Sequence, residues 1–201
     1  MFDILLGLVF PRACIGCGRD DVLLCCECAR STNGPQTTTL AGLTILSCLP
    51  YAGVVRSAIN EFKHGRRAYA RDLATILTPF VDVNMTLAPI PTTRRRRLER
   101  GFDQTVLLAR ILQRTCGSGV SELLGRRGTE AQQGRSRAQR LAATGRFCMR
   151  RKPAASDGRF ILFDDVRTTG ATLVDAARTL EQSGVRVSQA LTLAWAPKEH
   201  Q

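Results

Sequence analysis

At 201 residues the chain has room for one domain with a small appendage, and a fold of that size buries roughly 70% of the surface its unfolded form exposes, so a real core is expected. Its 29 Lys+Arg against 17 Asp+Glu give a net charge of +12, and Lys63, Lys152 and Lys198 are its only lysines, so the excess is almost wholly arginine. Arginine forks suit phosphate, a solvated basic surface is the other reading, and the placement of the arginines separates the two better than their number.

Met1 to Phe10 (MFDILLGLVF) is apolar, but it is too short to cross a bilayer and lacks the basic flank of a signal peptide. It reads as a docking helix. With no membrane span and no export signal the cytoplasm is the expected compartment, where the eight cysteines stay reduced and open to metal. Cys14, Cys17, Cys25 and Cys28 follow in C-x2-C-x7-C-x2-C spacing, two knuckles whose thiolates can close a tetrahedral site around one structural Zn2+. Gly16 and Gly18 allow the tight turn that such a knuckle needs. Cys26, inside the second knuckle, is the competing ligand, although it makes a cramped pair with Cys28. Cys48, Cys116 and Cys148 are isolated and read as core residues.

The polar run Ser31 to Thr39 (STNGPQTTT) reads as a link, dividing a helix and zinc module in residues 1–39 from a main domain in 40–201. Leu43 to Leu49 is a strand closed by Pro50. Val54, Val55, Ala58, Ile59 and Phe62 recur at helical spacing until Lys63, His64 and Gly65 end the helix, with His64 fitting a helix-end cation better than a ligand. A second helix runs from about Tyr69 to Phe80. Leu87 to Pro91 (LAPIP) is a short strand broken by prolines, and it leads into a basic loop with five arginines in seven residues, Arg94 to Arg97 and Arg100. Such a run suits a compact, highly charged anion, a nucleic acid or plain solvation. Phe102 to Arg114 reads as an amphipathic helix with Val106, Leu107, Ala109, Ile111 and Leu112 on its buried side, and Arg126 to Arg140 as a polar, Gly-broken basic segment.

The most informative stretch is Arg159 to Thr172, RFILFDDVRTTGAT. Phe160 to Phe163 is an apolar run too brief for a helix, as a strand buried on both faces of a parallel sheet should be. Asp164 and Asp165 then form an acidic turn, and Thr168, Thr169, Gly170, Ala171 and Thr172 can wind into a helix N-terminus whose backbone N–H groups cradle a phosphate. Two acids beside such a cradle call for a ligand that also offers hydroxyls or a divalent cation, and a ribose 5-phosphate does. A G-x-x-x-x-G-K-[ST] loop is absent, and Gly16 and Gly18 lack the third glycine of a dinucleotide fingerprint. Leu173, Val174, Ala176, Ala177 and Leu180 continue the helix, Gly184 caps it, and Val185 to Trp195 is the last strand.

The four apolar residues, two acids and Thr/Gly-rich turn resemble the motif with which type I phosphoribosyltransferases bind phosphoribosyl pyrophosphate (PRPP). The resemblance implies that Asp164 and Asp165 hold the ribose hydroxyls, that the turn from Arg167 to Thr172 holds the 5-phosphate, and that Thr92, Thr93, Arg94 and Arg97 in the turn after the LAPIP strand hold pyrophosphate, with Mg2+ accompanying PRPP. It also implies a mobile hood at Arg126 to Arg140. The order of pieces, namely cysteine knuckles, the A-P-I-P strand, R-G-F-D-Q at Arg100 to Gln104, a basic Gln- and Arg-rich segment and the acidic motif, resembles the ComF family over nearly the whole chain. That family usually carries Asn at the position of Asp103 and an Asn after the arginine that corresponds to Arg140, where this chain continues Leu141, Ala142, Ala143. The implied fold is α/β: a type I phosphoribosyltransferase-like, mostly parallel sheet flanked by helices, preceded by a four-cysteine module. The implied role is PRPP or ribose 5-phosphate binding linked to DNA uptake in competence, with single-stranded DNA or a helicase-like protein as partner. The alternative is an active phosphoribosyltransferase of nucleotide metabolism, displacing pyrophosphate from PRPP without a DNA role.

Overall fold

Short apolar runs spaced along the chain become the strands of a six-stranded sheet. The computed structural model describes residues 13–30, 33–127, 145–153 and 159–197; the expected docking helix at Met1 to Phe10 and the basic segment beyond Arg127, with Arg135, Arg137 and Arg140, lie outside them. Helix α1 (Cys26–Arg30) follows the cysteine knuckles, then β1 (Gln36–Leu40), β2 (Leu43–Pro50), α2 (Gly53–Lys63), α3 (Tyr69–Leu77) with a 3-10 turn at Thr78–Phe80, and β3 (Met85–Pro89). Helices α4 (Arg94–Arg100) and α5 (Gln104–Cys116) precede the short strands β4 (Gly119–Val120), β5 (Leu124–Arg126) and β6 (Phe147–Met149). The chain closes with β7 (Arg159–Arg167), α6 (Ala171–Gln182) and β8 (Gln189–Trp195).

The sheet order is β1-β2-β8-β7-β3-β4, with β1 antiparallel to β2 and the remaining pairs parallel; β5 and β6 form a separate antiparallel pair. Period-two alternation sends neighbouring residues into two cores. Ile161 and Phe163 of β7, Leu87 of β3 and Leu191 and Leu193 of β8 pack with α2, α3 and α5, while Leu162, Ala88 and Ala190 pack with Leu173, Ala176 and Leu180 of α6 and with Phe147. This is a mixed α/β fold whose mostly parallel sheet is covered by helices on both faces, which explains why its strands read as continuous apolar runs.

Leu24 and Ala29, beside the cysteine knuckles, are buried in the same core as Leu73 and Leu77, and the Leu23 N–H donates to Asp72 Oδ2 of α3 at 2.8 Å. Four sequence expectations change. Part of the polar link is strand β1: its three threonines are β-branched, its residues alternate in exposure, and an antiparallel edge does not need an apolar sequence. The arginine loop after β3 is helix α4, with Thr93 capping it through Oγ1 and Gly101 ending it at φ 75°. Helix α5 starts at Gln104 and buries Gln104, Thr105 and Leu108 with Ala109 and Leu112, so its inner face is turned from the predicted one, and Val106, Leu107 and Ile111 are only half-buried. Finally, the last strand begins at Gln189 rather than Val185. Among the described residues no helix is long and apolar enough to cross a membrane.

Candidate functional site

Parallel strands β3 and β7 end side by side, Pro89 opposite Phe163, and a cavity of about 310 Å³ opens beyond their C-terminal ends. In open α/β sheets this is where ligands bind. Its walls carry Asp164, Asp165, Thr168 and Thr172 on one side and Thr92, Arg96 and Arg100 on the other, with Lys63, Gln104 and Arg126 between them.

The two acids stand on strand, not in a turn, because β7 continues to Arg167 alongside β8. Both are half-buried. Asp165 Oδ2 lies 3.0 Å from Lys63 Nζ at the end of α2, and that ammonium also sits 5.7 Å from the centre of the Tyr51 ring. Asp164 Oδ1 accepts the N–H of Asp165 at 2.9 Å. Burial, reinforced by the neighbouring Asp165 charge, pushes the Asp164 carboxyl well above the usual carboxylate range. A ligand offering a hydroxyl or a cation there relieves that cost.

After β7, Thr168, Thr169 and Ala171 are exposed and Thr172 is half-buried, and α6 begins behind Gly170, which brings no side-chain acceptor to its N-cap. Gly170 has φ 79°, and a Cβ there would collide with Leu40 Cδ1 at the tip of the β1–β2 hairpin. Arg167 departs from the rest of the turn. Its side chain is buried, donating from Nε to Ser47 Oγ at 3.1 Å and from Nη2 to Gln36 Oε1, which ties edge strand β1 to the motif and turns the guanidinium away from the cavity. Arg146 supplies a cation near the turn instead, donating from Nη1 to Thr172 Oγ1 at 3.3 Å and from its N–H to Asp175 Oδ2 at 2.8 Å.

Helical phase divides the arginine cluster. Arg96 and Arg100, one turn apart on α4, face the acidic cavity, whereas Arg94 and Arg97 line a second cavity on the helix's other flank, and Thr93 is occupied as the cap. Thr92 borders both cavities. A loop reading of TTRRRRLER could not assign these faces; the Thr before the run and the Gly after it were the available helix signals. Asp103 holds the segment in place, accepting the N–H of Thr92 at 2.9 Å and of Val106 at 3.4 Å and the hydroxyl of Thr105 at 2.8 Å.

Three further residues reach the cavity from places that periodicity does not reveal. Lys63 arrives from the end of α2. Arg126 donates from Nε to Pro91 O at 2.8 Å and lies 5.1 Å from the centre of the Phe147 ring; its desolvation weakens its hold on the proton. Gln104 is 2% exposed, and its Nε2 has no hydrogen-bond partner among the described residues. A buried amide left unpaired in a cavity wall costs free energy that a ligand acceptor can return.

The four predicted cysteines converge: one sulfur from each of Cys14, Cys17, Cys25 and Cys28 lies within 4.8 Å of all the others. Gly16 is required, since a Cβ there would stand 2.8 Å from Cys28 Sγ, and Gly18 turns the knuckle at φ 75°. Burial opposes ionisation of Cys14, but N–H groups of Cys25, Cys17 and Gly16 outweigh it and draw the thiol down to about 6. Hydrogen bonding by the other thiols pushes Cys28 up to about 12. Four sulfurs this close cannot all ionise alone, and a divalent cation at their centre lets them do so, so the cluster is compatible with structural zinc. Cys26 lies outside it, in the lining of an apolar cavity with Cys48, Leu49, Ile76 and Phe80.

No family model matches the chain. It is 31% identical over 148 residues to the competence protein ComFC of Bacillus subtilis (strain 168), a match that covers 71% of this chain and 60% of that protein's length. The chain itself carries a four-cysteine cluster beside α2 and α3 and a mostly parallel sheet flanked by helices. On these grounds the chain belongs to the ComF family.

Proposed function

We propose that this protein binds PRPP or ribose 5-phosphate in the cavity beyond β3 and β7, and that it serves DNA uptake; its relative is named a competence protein. The observation that carries the reading is the opposition, across one cavity, of an aspartate pair beside a helix start whose N-cap is a glycine and the arginines of α4. Asp164 and Asp165 take the ribose hydroxyls, and Thr168 to Thr172 take the 5-phosphate through backbone and hydroxyl donors, with Arg146 nearby. Thr92, Arg96 and Arg100 take the pyrophosphate end, in place of the expected Arg94 and Arg97. Mg2+ accompanies PRPP, since two carboxylates and a polyphosphate in one cavity need a shared counter-charge. Zinc in the four-cysteine cluster holds α1 against α2 and α3. The protein works in the cytoplasm, with single-stranded DNA or a helicase-like protein as its macromolecular partner.

A second reading, turnover of PRPP, is favoured by the acid pair itself. Burial raises the Asp164 carboxyl beside Asp165 in its ion pair with Lys63, and a perturbed acid next to a second carboxylate in a cleft is a candidate for catalysis. In that reaction the anomeric C–O bond breaks, pyrophosphate leaves with the electron pair, and an acceptor's lone pair forms the new bond.

Calorimetric titration with PRPP plus Mg2+ and with ribose 5-phosphate, on the wild type and on Asp164→Asn with Asp165→Asn, tests the binding role. The expected result is loss of both ligands in a folded double variant, and unchanged affinity sinks the assignment. Arg96→Gln with Arg100→Gln should weaken PRPP far more than ribose 5-phosphate, each lost charged contact costing about 1.5–3 kcal/mol. Release of pyrophosphate on incubation with PRPP and candidate acceptors distinguishes turnover from binding alone.

A further inference from the structure

The far flank of α4 carries a second cavity, of about 600 Å³, that the ribose-phosphate reading leaves unused. Arg94 and Arg97 project into it from α4, Arg110 comes from α5, and Arg150 follows β6. Its two acids are already engaged: Glu122 pairs with Arg110 at 2.8 Å and Arg150 at 3.8 Å, and Asp103 holds Thr92, Thr105 and Val106. Arg94 and Arg97, by contrast, have no ion-pair partner among the described residues, so two exposed guanidinium groups three residues apart overhang the cavity with their charge uncompensated. The wall between them and β5 is apolar, formed by Phe102, Val106, Leu107 and Leu124. Pro91, Thr92 and Arg126 border both cavities.

We propose that this second cavity is a separate binding site for a phosphate-bearing ligand with a ring-sized apolar body, the chemistry of a nucleoside monophosphate. Its phosphate sits on Arg94 and Arg97 and its ring against Phe102, Val106 and Leu107. The cavity size is that of a small-molecule site, and a paired guanidinium rim over an apolar wall fits such an amphiphilic anion better than it fits a bare inorganic ion. Because α4 separates the two sets of arginines, both sites can be filled at once.

The test uses adenosine 5′-monophosphate as probe, with adenosine and inorganic phosphate as half-ligands, titrated into the full chain with and without saturating ribose 5-phosphate. The nucleotide should bind in both conditions, more tightly than either half-ligand, and weaken at least ten-fold in Arg94→Gln with Arg97→Gln. Arg95→Gln, whose side chain pairs with Glu99 and lines neither cavity, should bind as wild type. Absence of nucleotide binding, displacement of the nucleotide by ribose 5-phosphate, equal binding of nucleotide and inorganic phosphate, or unchanged affinity in the Arg94/Arg97 variant would each overturn the second site. If ribose 5-phosphate itself fails to bind while the nucleotide behaves as described, the first cavity's assignment falls and the second stands.

Discussion

Lys63 and Asp165 form an ion pair at 3.0 Å, so the acidic wall of the first cavity is half neutralised by the chain's own cation. Both side chains are mostly buried, 21% and 17% exposed. Replacing Lys63 by Met leaves Asp165 beside Asp164 without its cation, with the Val166 N–H still donated to it at 2.7 Å, which should lower stability by about 1–3 kcal/mol. Millimolar Mg2+ should restore the melting temperature of Lys63→Met and barely move that of the wild type. A variant that stays unstable in Mg2+, or that Na+ at matched ionic strength restores equally, would show that the acids do not form a cation site.

Asp164 gives a pH dependence whose sign is fixed. Its folded-state pKa is raised, so the stability it confers is complete below the unfolded value of about 3.9 and drains away as pH rises through the folded value. Asp164→Asn mimics the protonated form and escapes that loss. The variant should match the wild type in acid and melt higher near neutral pH, by about 2–4 °C for each kcal/mol recovered. Thermal melts of both proteins across an acid-to-neutral series check it; a variant less stable at neutral pH contradicts the burial argument.

Gly170→Ala meets two obstacles together, a φ of 79° and Leu40 in the space that the new methyl needs. The expected cost is on the order of 1–3 kcal/mol. Ribose 5-phosphate affinity should fall as well, since the turn must shift to admit the methyl. Gly170→Ala with Leu40→Ala should recover at most part of the stability and none of the affinity, because only the clash is relieved while the strain at φ 79° remains.

For the cysteines, Cys14→Ser, Cys17→Ser, Cys25→Ser and Cys28→Ser should each lose bound zinc, and Cys26→Ser should keep one equivalent. Chelation should lower the melting temperature by about 10 °C, if the metal is held at roughly a thousand times its dissociation constant. Zinc loss in Cys26→Ser together with retention in Cys25→Ser would reverse the ligand assignment.

The parallel strands were legible because burial on both faces leaves an unbroken apolar run, as in Phe160 to Phe163, and α2 because Val55, Ala58, Ile59 and Phe62 keep one helical face. The four cysteines needed only their spacing. What the sequence hid depends on neighbours. Gln36 to Leu40 is a strand because β2 offers it an edge, and α4 looked like a loop because its arginines bury nothing. Lys63 and Gln104 belong to the cavity only because α2 and α5 end or begin at its rim. Arg167 has the sequence position of a ligand-binding residue, yet it is drawn inward by Ser47 and Gln36, more than a hundred residues earlier.

The place of β8 between β2 and β7 has a consequence for how the chain is made. Strand β2 ends at Pro50, but the parallel partner that covers its inner edge, Gln189–Trp195, leaves the ribosome after every other strand of the sheet. Until then a nascent chain carries an apolar strand with one side unpaired, and so does β7 with respect to β8. Such late, non-local closure slows folding and exposes sticky edges to neighbouring chains. Truncation just before Gln189 should therefore yield an aggregating chain rather than a smaller domain, and the full protein should gain yield when synthesis is slowed or chaperones are abundant.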